Sequence, residues 1–414
     1  MNMRICVLLL ATALIQAGLA SQVFADDPPK FELKEGDRVV LLGGTFIERE
    51  GTEGYLETLL TSETGHANVT FRNLGWSGDT VFGLARARFG KQADGFQHLK
   101  EHVEALKPTV LIVSYGQNES FDGEAGLPEF KRGLDQLLKV LDGTKARVVF
   151  VSPIRHEDLG RPLPDPAKHN TDLYLYVDLL KKVAAERKDP FVDLFRDLAG
   201  PRPLTDNGIH LTSAGYWQAA QVTVQSLRAA RKPMVLKLDA GSAPRVTSSE
   251  GGKVERLEAK PGRLAFQARA DSLPAPRLPK PSTTSSVKHV DASSMEVNGL
   301  PDGRYDVKVD GKKVAAFRSE SGMLRIKLDS GPDFDQAEAL RHLINSKNEL
   351  YFHRWRPENE TYLFGFRKYE QGQNAREIPL FDPLVTAKEG QIAELRVPKP
   401  HSYEIVTSSE EPSR

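Results

Sequence analysis

Four short stretches of this chain hold side chains and bare backbone that could do chemistry: Gly43-Gly44-Thr45-Phe46, Asn73-Leu74-Gly75-Trp76-Ser77-Gly78-Asp79-Thr80, Gly116-Gln117-Asn118-Glu119 and Asp206-Asn207-Gly208-Ile209-His210. A histidine can move a proton near neutral pH, a hydroxyl can attack, and a glycine lets a ligand approach the main chain. Each stretch alone has a blander reading, because glycine-rich turns after strands are common. Glu48, Glu50, Glu119 and Glu124 lie near the same turns. A pair of carboxylates flanking a bond is glycosidase chemistry, but charged loop residues or helix-start carboxylates are the preferred reading of these four. His156, in Ser152-Pro153-Ile154-Arg155-His156, is read as an exposed loop residue with a pocket role as the alternative. His66, His98 and His102 show no metal-ligand spacing with acidic partners, so no metal or other cofactor is expected.

The elements that must position these stretches are strands and helices in alternation. Arg38–Leu42, Asn68–Asn73, Thr109–Tyr115, Ala146–Ser152 and Pro190–Leu194 are nearly continuous apolar runs, as expected of parallel strands covered on both faces. Between them, Phe96, Leu99, Val103 and Leu106 recur at helical spacing, as do the apolar residues of Leu127–Leu141 and Thr171–Ala185. The pattern predicts a three-layer α/β/α domain with right-handed crossovers. In such a sheet ligands sit beyond the carboxyl ends of the strands, which is where the four stretches fall.

In this order and at these spacings, the four stretches together resemble the SGNH (GDSL-like) hydrolases, an esterase and lipase/acylhydrolase family with a flavodoxin-like fold. The resemblance covers roughly half the chain. It implies a nucleophile in the first loop, a glycine amide and an asparagine side chain forming an oxyanion hole in the second and third, and an Asp-x-x-His pair in the last. Carried over residue by residue, Gly78 is the second-loop glycine, Asn118 the third-loop asparagine and His210 the general base. Gly208 before His210 and the helix-starting Thr212 after it fit that role better than a surface histidine after a turn.

Two positions depart from the family pattern. Thr45 stands at the nucleophile, where its methyl restricts χ1 and crowds the line of attack. Asn207 stands at the triad acid, where it cannot stabilise an imidazolium and can favour the wrong histidine tautomer. Asp206, one residue earlier, could replace it if the loop shifts register, and a backbone carbonyl is another orienting group. The oxyanion donors need neither missing side chain, since Gly78, Asn118 and the Thr45 amide remain.

The remainder of the chain sets the context. With 414 residues, two domains are expected. Lys+Arg and Asp+Glu are both 56, so no basic excess favours nucleic acid. Arg4, the apolar run Ile5–Ala20 and the small residues Val23 and Ala25 read as an export signal cleaved before Asp26. The run is short and interrupted by Gln16 and Gly18, which argues against an integral membrane anchor and for a secreted or periplasmic protein. The single cysteine, Cys6, lies inside that signal, so the mature chain has no disulfide and no thiolate chemistry.

After Arg231 the texture changes to short strand-like runs: Val235–Leu238, Leu264–Ala268, Tyr305–Val309, Val314–Phe317 and Leu324–Leu328. Asp302-Gly303 and Asp310-Gly311 signal hairpins, and Leu273–Ser286 reads as an exposed loop. These features predict a signal peptide at 1–25, an α/β domain at 26–232, a β-rich, sandwich-like unit at 233–332 and a helix with an aromatic, arginine-rich tail at 333–414. The helix is expected over Phe334–Asn348, with Asp333 or Asp335 near its start. Tyr351–Asn359 reads as a strand with Phe352 and Trp355 buried, with sugar stacking as the alternative. It also resembles tails of secreted, planctomycete-like SGNH proteins.

The expected function is cleavage of small carboxylic esters, including acetyl groups on polysaccharides. The rival is a catalytically weak or inactive scaffold that binds carbohydrate or ester, and a third is a structural envelope protein. The sequence leaves substrate and oligomeric state open.

Overall fold

Apolar residues at successive positions of each short run decide the architecture of the first part. In the computed structural model, which describes residues 31–63, 68–198, 203–227, 233–279, 293–370 and 374–408, this part contains β1 (Arg38–Gly43), α1 (Thr45–Glu53), α2 (Tyr55–Glu63), β2 (Thr70–Asn73), α3 (Gln92–Leu106), β3 (Val110–Ser114), α4 (Leu127–Gly143), β4 (Arg147–Val151), α5 (Ala167–Arg187), β5 (Phe191–Val192), α6 (Leu194–Asp197) and α7 (Ser213–Ser226). The export signal with its cleavage site, Cys6, His66 and the part of Leu273–Ser286 from residue 280 onward lie outside the described residues. The five strands are all parallel, in the order β2-β1-β3-β4-β5. Val39, Leu41, Ile112 and Val149 point to one face, under α2 and α7; Val40, Leu42, Leu111 and Val148 point to the other, under α3, α4 and α5. Burying each such side chain contributes about 1.5–3 kcal/mol, so packing alone can hold a layer that has no disulfide. The strand order is that of flavodoxin-like folds and reverses between β1 and β3, which places a crevice there.

The second part adds β6 (Val235–Asp239), β7 (Arg245–Glu250), β8 (Gly252–Lys260), β9 (Arg263–Ala270), β10 (Ser293–Asn298), β11 (Gly303–Val309), β12 (Lys312–Glu320), β13 (Met323–Leu328), α8 (Pro332–Trp355), α9 (Glu360–Leu363), α10 (Phe381–Leu395) and β14 (His401–Thr407). All nine strands form one sheet, in the order β7-β6-β10-β13-β12-β11-β14-β9-β8, rather than the two faces of a sandwich. Its two edge strands, β7 and β8, are consecutive in sequence and joined at Gly251, so the sheet rolls towards closure. One core, including Leu236, Phe266, Val307, Ile326 and Ile405, fills the inside.

The tail departs from the sequence expectation. Tyr351–Trp355 is not a strand but the last turn and a half of α8, which runs well past Asn348. Its buried positions, Leu340, Ile344, Lys347 and Tyr351, recur every three or four residues, the helical period. Leu340 and Ile344 pack with Leu273 and with Ile392 of α10, while Lys347 and Asn348 reach the first part. Lys347 Nζ donates to Glu57 Oε1 at 2.5 Å and to the Phe71 carbonyl at 3.0 Å, and Asn348 Nδ2 donates to Glu57 Oε2 at 3.1 Å. Lys347 and Glu57 are both buried, so losing either strands a charge, at a cost of about 3–5 kcal/mol. The helix is therefore fixed to the α/β part by a paired charge as well as by apolar contact. No helix among the described residues is long and apolar enough to cross a membrane.

Candidate active site

At the β1/β3 reversal, loops from four strand ends surround a cavity of about 190 Å³. Thr45, Asn118 and His210 line it together, with Tyr115, Ile154 and Tyr216 among the apolar walls. Thr45 is the first residue of α1, and Gly44 before it caps the helix with no side-chain bond. The Thr45 N–H finds no acceptor among the described residues, so this donor and the positive end of the helix dipole face the cavity mouth. The half-buried Thr45 hydroxyl makes no hydrogen bond among the described residues, to His210 or to any other group. Asn118 is held by a bond from Nδ2 to the Asp79 carbonyl at 2.7 Å, which spends one of its two N–H donors.

Gly78 lies on the exposed rim rather than in the cavity lining. Its φ of +77° is left-handed, and nothing lies within 4 Å of the place a Cβ would occupy. Its N–H has no acceptor among the described residues. Nearby Gly75 is required for another reason, since a Cβ there would come within 2.1 Å of the Glu48 backbone nitrogen.

The histidine loop has a definite proton arrangement. Asn207 Oδ1 accepts from the backbone N–H groups of Ile209 (3.1 Å) and His210 (2.8 Å). Those two donors fix the amide, so Asn207 Nδ2 faces His210 Nδ1 at 3.1 Å and donates to it. An imidazole that accepts at Nδ1 carries its proton on Nε2 and cannot take another there. Burial, with a smaller push from Arg49, holds the His210 pKa below its ordinary 6.5, so the ring is neutral at pH 7. Asp206 makes no hydrogen bond to the His210 ring among the described residues, though its charge favours the protonated imidazole. Its carboxylate faces Arg49 at 3.7 Å, and its backbone N–H donates to the His210 carbonyl at 2.9 Å.

Several groups read as solvated are instead structural. Glu119 is buried and accepts from the N–H groups of Val81 (2.8 Å) and Gly116 (3.0 Å), tying the second and third loops together. Burial pushes its pKa up to about 7. His156 is buried rather than exposed: its ring stacks on His169 at 4.3 Å and meets the Gln117 side-chain amide. Burial drives its pKa down to about 4. Glu124 remains exposed, His98 Nδ1 binds the Arg86 carbonyl at 2.8 Å, and His102 packs edge-on to Trp355. Ser120 is buried, donating to the Gln117 carbonyl at 2.8 Å with His169 Nε2 at 3.2 Å, whereas Ser77 is exposed and donates to Glu48. His169 went unremarked in the sequence because it lies in a helix, away from every loop motif. No group of three or more His, Cys, Asp or Glu side chains that could hold a metal occurs among the described residues.

Glu50 supplies a pH test of this region. It is buried in α1, accepts from the Leu56 N–H at 2.6 Å, and burial raises its pKa from 4.5 to about 8. The folded chain then holds a proton that the unfolded chain releases between those values, so its contribution falls as pH rises through that window. Glu50→Gln is expected to match wild type in thermal unfolding at pH 5 and to exceed it at pH 8.5, by roughly 1–3 kcal/mol. An equal gap at both pH values would show that Glu50 ionises freely in the fold.

A parallel flavodoxin-like sheet with a helix-start donor, an asparagine amide and a histidine around one cavity defines an α/β hydrolytic scaffold. Residues 35–218 match the model of the GDSL-like lipase/acylhydrolase family. No curated protein sequence matches the chain. Among solved structures, a gut microbial diltiazem-metabolizing enzyme is similar over 91% of this chain and 99% of its own, at 16% identity and a TM-score of 0.69, so the two-part fold is shared. An acetyl xylan esterase is similar over 46% of this chain and 98% of its own (15% identity, TM-score 0.36). A GDSL-like lipase from Bacteroides thetaiotaomicron is similar over 46% of this chain and 88% of its own (19% identity, TM-score 0.33).

Proposed function

We propose that the protein is an exported carboxylic-ester hydrolase acting on small acyl groups, including acetyl esters of carbohydrates. Thr45 is the nucleophile, His210 the base, and the amides of Thr45, Gly78 and Asn118 the oxyanion donors. The observation that carries this reading is the single cavity lined by Thr45, Asn118 and His210 at the start of α1. The hydroxyl adds to the ester carbonyl while His210 Nε2 takes its proton. The tetrahedral oxyanion then collapses, and the alcohol leaves with that proton. Water repeats the sequence on the threonyl ester and releases the acid. Every turnover needs the His210 tautomer that the Asn207 amide disfavours, so turnover is slow.

That same hydrogen bond favours a second reading, an ester- or carbohydrate-binding protein that does not hydrolyse. Release of nitrophenol from a short-acyl nitrophenyl ester by the purified chain separates the two. Turnover above buffer, lost at least a hundredfold in His210→Ala, supports the hydrolase. Saturable glycan or ester binding with no turnover selects the binder.

A further inference from the structure

The second loop is clamped from outside its own domain. Within Trp76-Ser77-Gly78-Asp79, three residues have fixed partners and the fourth has none among the described residues. Asp79 is held from below: Arg86 Nε donates to its Oδ2 at 2.7 Å and Tyr115 Oη donates to the same oxygen at 3.0 Å, all three side chains being buried. Ser77 is held by Glu48, whose carboxylate accepts the Ser77 N–H at 2.7 Å and its hydroxyl at 3.0 Å. Glu48 is itself held by Arg356, which donates from Nη1 to Oε2 at 2.6 Å. The Arg356 guanidinium also lies over the Trp76 ring, 4.0 Å from its centroid, and Arg86 approaches the same ring at 5.6 Å. Trp355 meets the Trp76 ring edge-on at 5.7 Å. Among the described residues, Gly78 alone of the four is untethered, and its N–H has no acceptor there.

We propose that Arg356, at the end of α8, is a positioning residue for the oxyanion loop: through Glu48 and the Trp76 ring it fixes Ser77 and Trp76, and so aims the Gly78 N–H. This assignment rests on the hydrolytic reading of the cavity. It also gives the arginine-rich tail a task that sugar stacking does not require. The clamp is suited to that task. A bidentate pair of bonds fixes Glu48 relative to Ser77, and a cation over a ring resists sliding of the Trp76 side chain. Both contacts end in the one loop where a small displacement redirects a donor. Misplacing an oxyanion donor lowers the rate of the chemical step while leaving ground-state binding nearly intact.

The test compares wild type, Arg356→Ala, Arg356→Lys and Glu48→Gln in the full chain, using a short-acyl nitrophenyl ester and, separately, amide hydrogen exchange. Arg356→Ala should lower kcat by about tenfold or more with KM within about twofold, because one oxyanion donor is worth about a hundredfold or more. Arg356→Lys should recover part of that loss, since it keeps the charge but loses the fork. Glu48→Gln should lower kcat similarly, and the double variant should add little further. In Arg356→Ala, exchange of the Ser77 and Asp79 amides should speed up by at least tenfold, while the amides of β1 and β3 stay protected. A kcat unchanged in folded Arg356→Ala, or unchanged exchange at Ser77, overturns the assignment. If wild type hydrolyses no ester, the hydrolytic reading has failed instead, and the exchange measurement alone still decides whether Arg356 holds the loop.

Discussion

Asn207→Asp is expected to raise ester turnover by at least tenfold. In the wild-type protein the backbone N–H groups of Ile209 and His210 both donate to Asn207 Oδ1, which leaves Nδ2 no direction but towards His210 Nδ1. An aspartate can keep both backbone bonds on one oxygen and offer the other as an acceptor. The imidazole proton then moves to Nδ1, and Nε2 is free to take the proton of the nucleophile. The reverse substitution in a serine protease lowers turnover about ten-thousandfold, so a tenfold gain is a conservative expectation. A second signature has a definite sign. The new carboxylate favours the charged imidazole, so the acidic limb of the pH–rate profile should move to higher pH than in wild type, where burial and Arg49 hold His210 low. Steady-state rates from pH 4 to 9 measure both effects. An unchanged rate in a folded variant would mean that Asp206 or a backbone carbonyl already serves His210.

Thr45→Ser should keep or raise activity, and Thr45→Ala should lower it by about a hundredfold or more. The hydroxyl makes no hydrogen bond among the described residues and is half-buried at the start of α1. Serine keeps that hydroxyl and removes the methyl that restricts χ1, whereas alanine removes the attacking atom and leaves the helix-start amide in place. Burst kinetics and mass spectrometry of the acylated chain would report the covalent step directly. If wild type is inert and Thr45→Ser is active, the protein is a hydrolase disabled at its nucleophile alone. Equal, substantial rates in all three proteins would rule out Thr45. Ser120 is buried and Ser77 engages Glu48, so attack by water would then be the mechanism to examine.

The parallel sheet was legible because its strands are buried on both faces: runs such as Val110–Ser114 and Arg147–Val151 carry apolar residues at successive positions. The cavity was legible because its members sit in turns at strand ends, the place such a sheet reserves for ligands. Other elements gave no such signal. The edge strands β7 and β8 are mostly exposed and polar, so no apolar run marks Arg245–Glu250. The α8 extension was misread because Phe352, Trp355 and their arginines suit a strand as well as a helix until their partners in the other domain are known. The tautomer of His210 was foreseeable in kind from Asn207, but its cause is two backbone donors that only a folded loop supplies. Arg356 lies 308 positions from Glu48, beyond any local pattern.

The placement of the last strand bears on when this protein can fold. β14 ends at Thr407, yet it lies inside the second sheet, pairing with β11 on one side and β9 on the other. Until residues 401–407 have left the ribosome, the β8–β9 hairpin has no neighbour beyond itself, and the apolar side of β11 is uncovered. The α/β domain has no such dependence among its strands, all of which lie before residue 193. Synthesis from the N-terminus therefore lets the first sheet assemble early, while the second waits for residues 401–407. Long-range strand pairing of this kind is slow and leaves sticky edges exposed in the interval. The growing chain thus passes through a stage in which the first sheet is paired, the buried Glu57 still waits for Lys347 of α8, and the second sheet is unprotected.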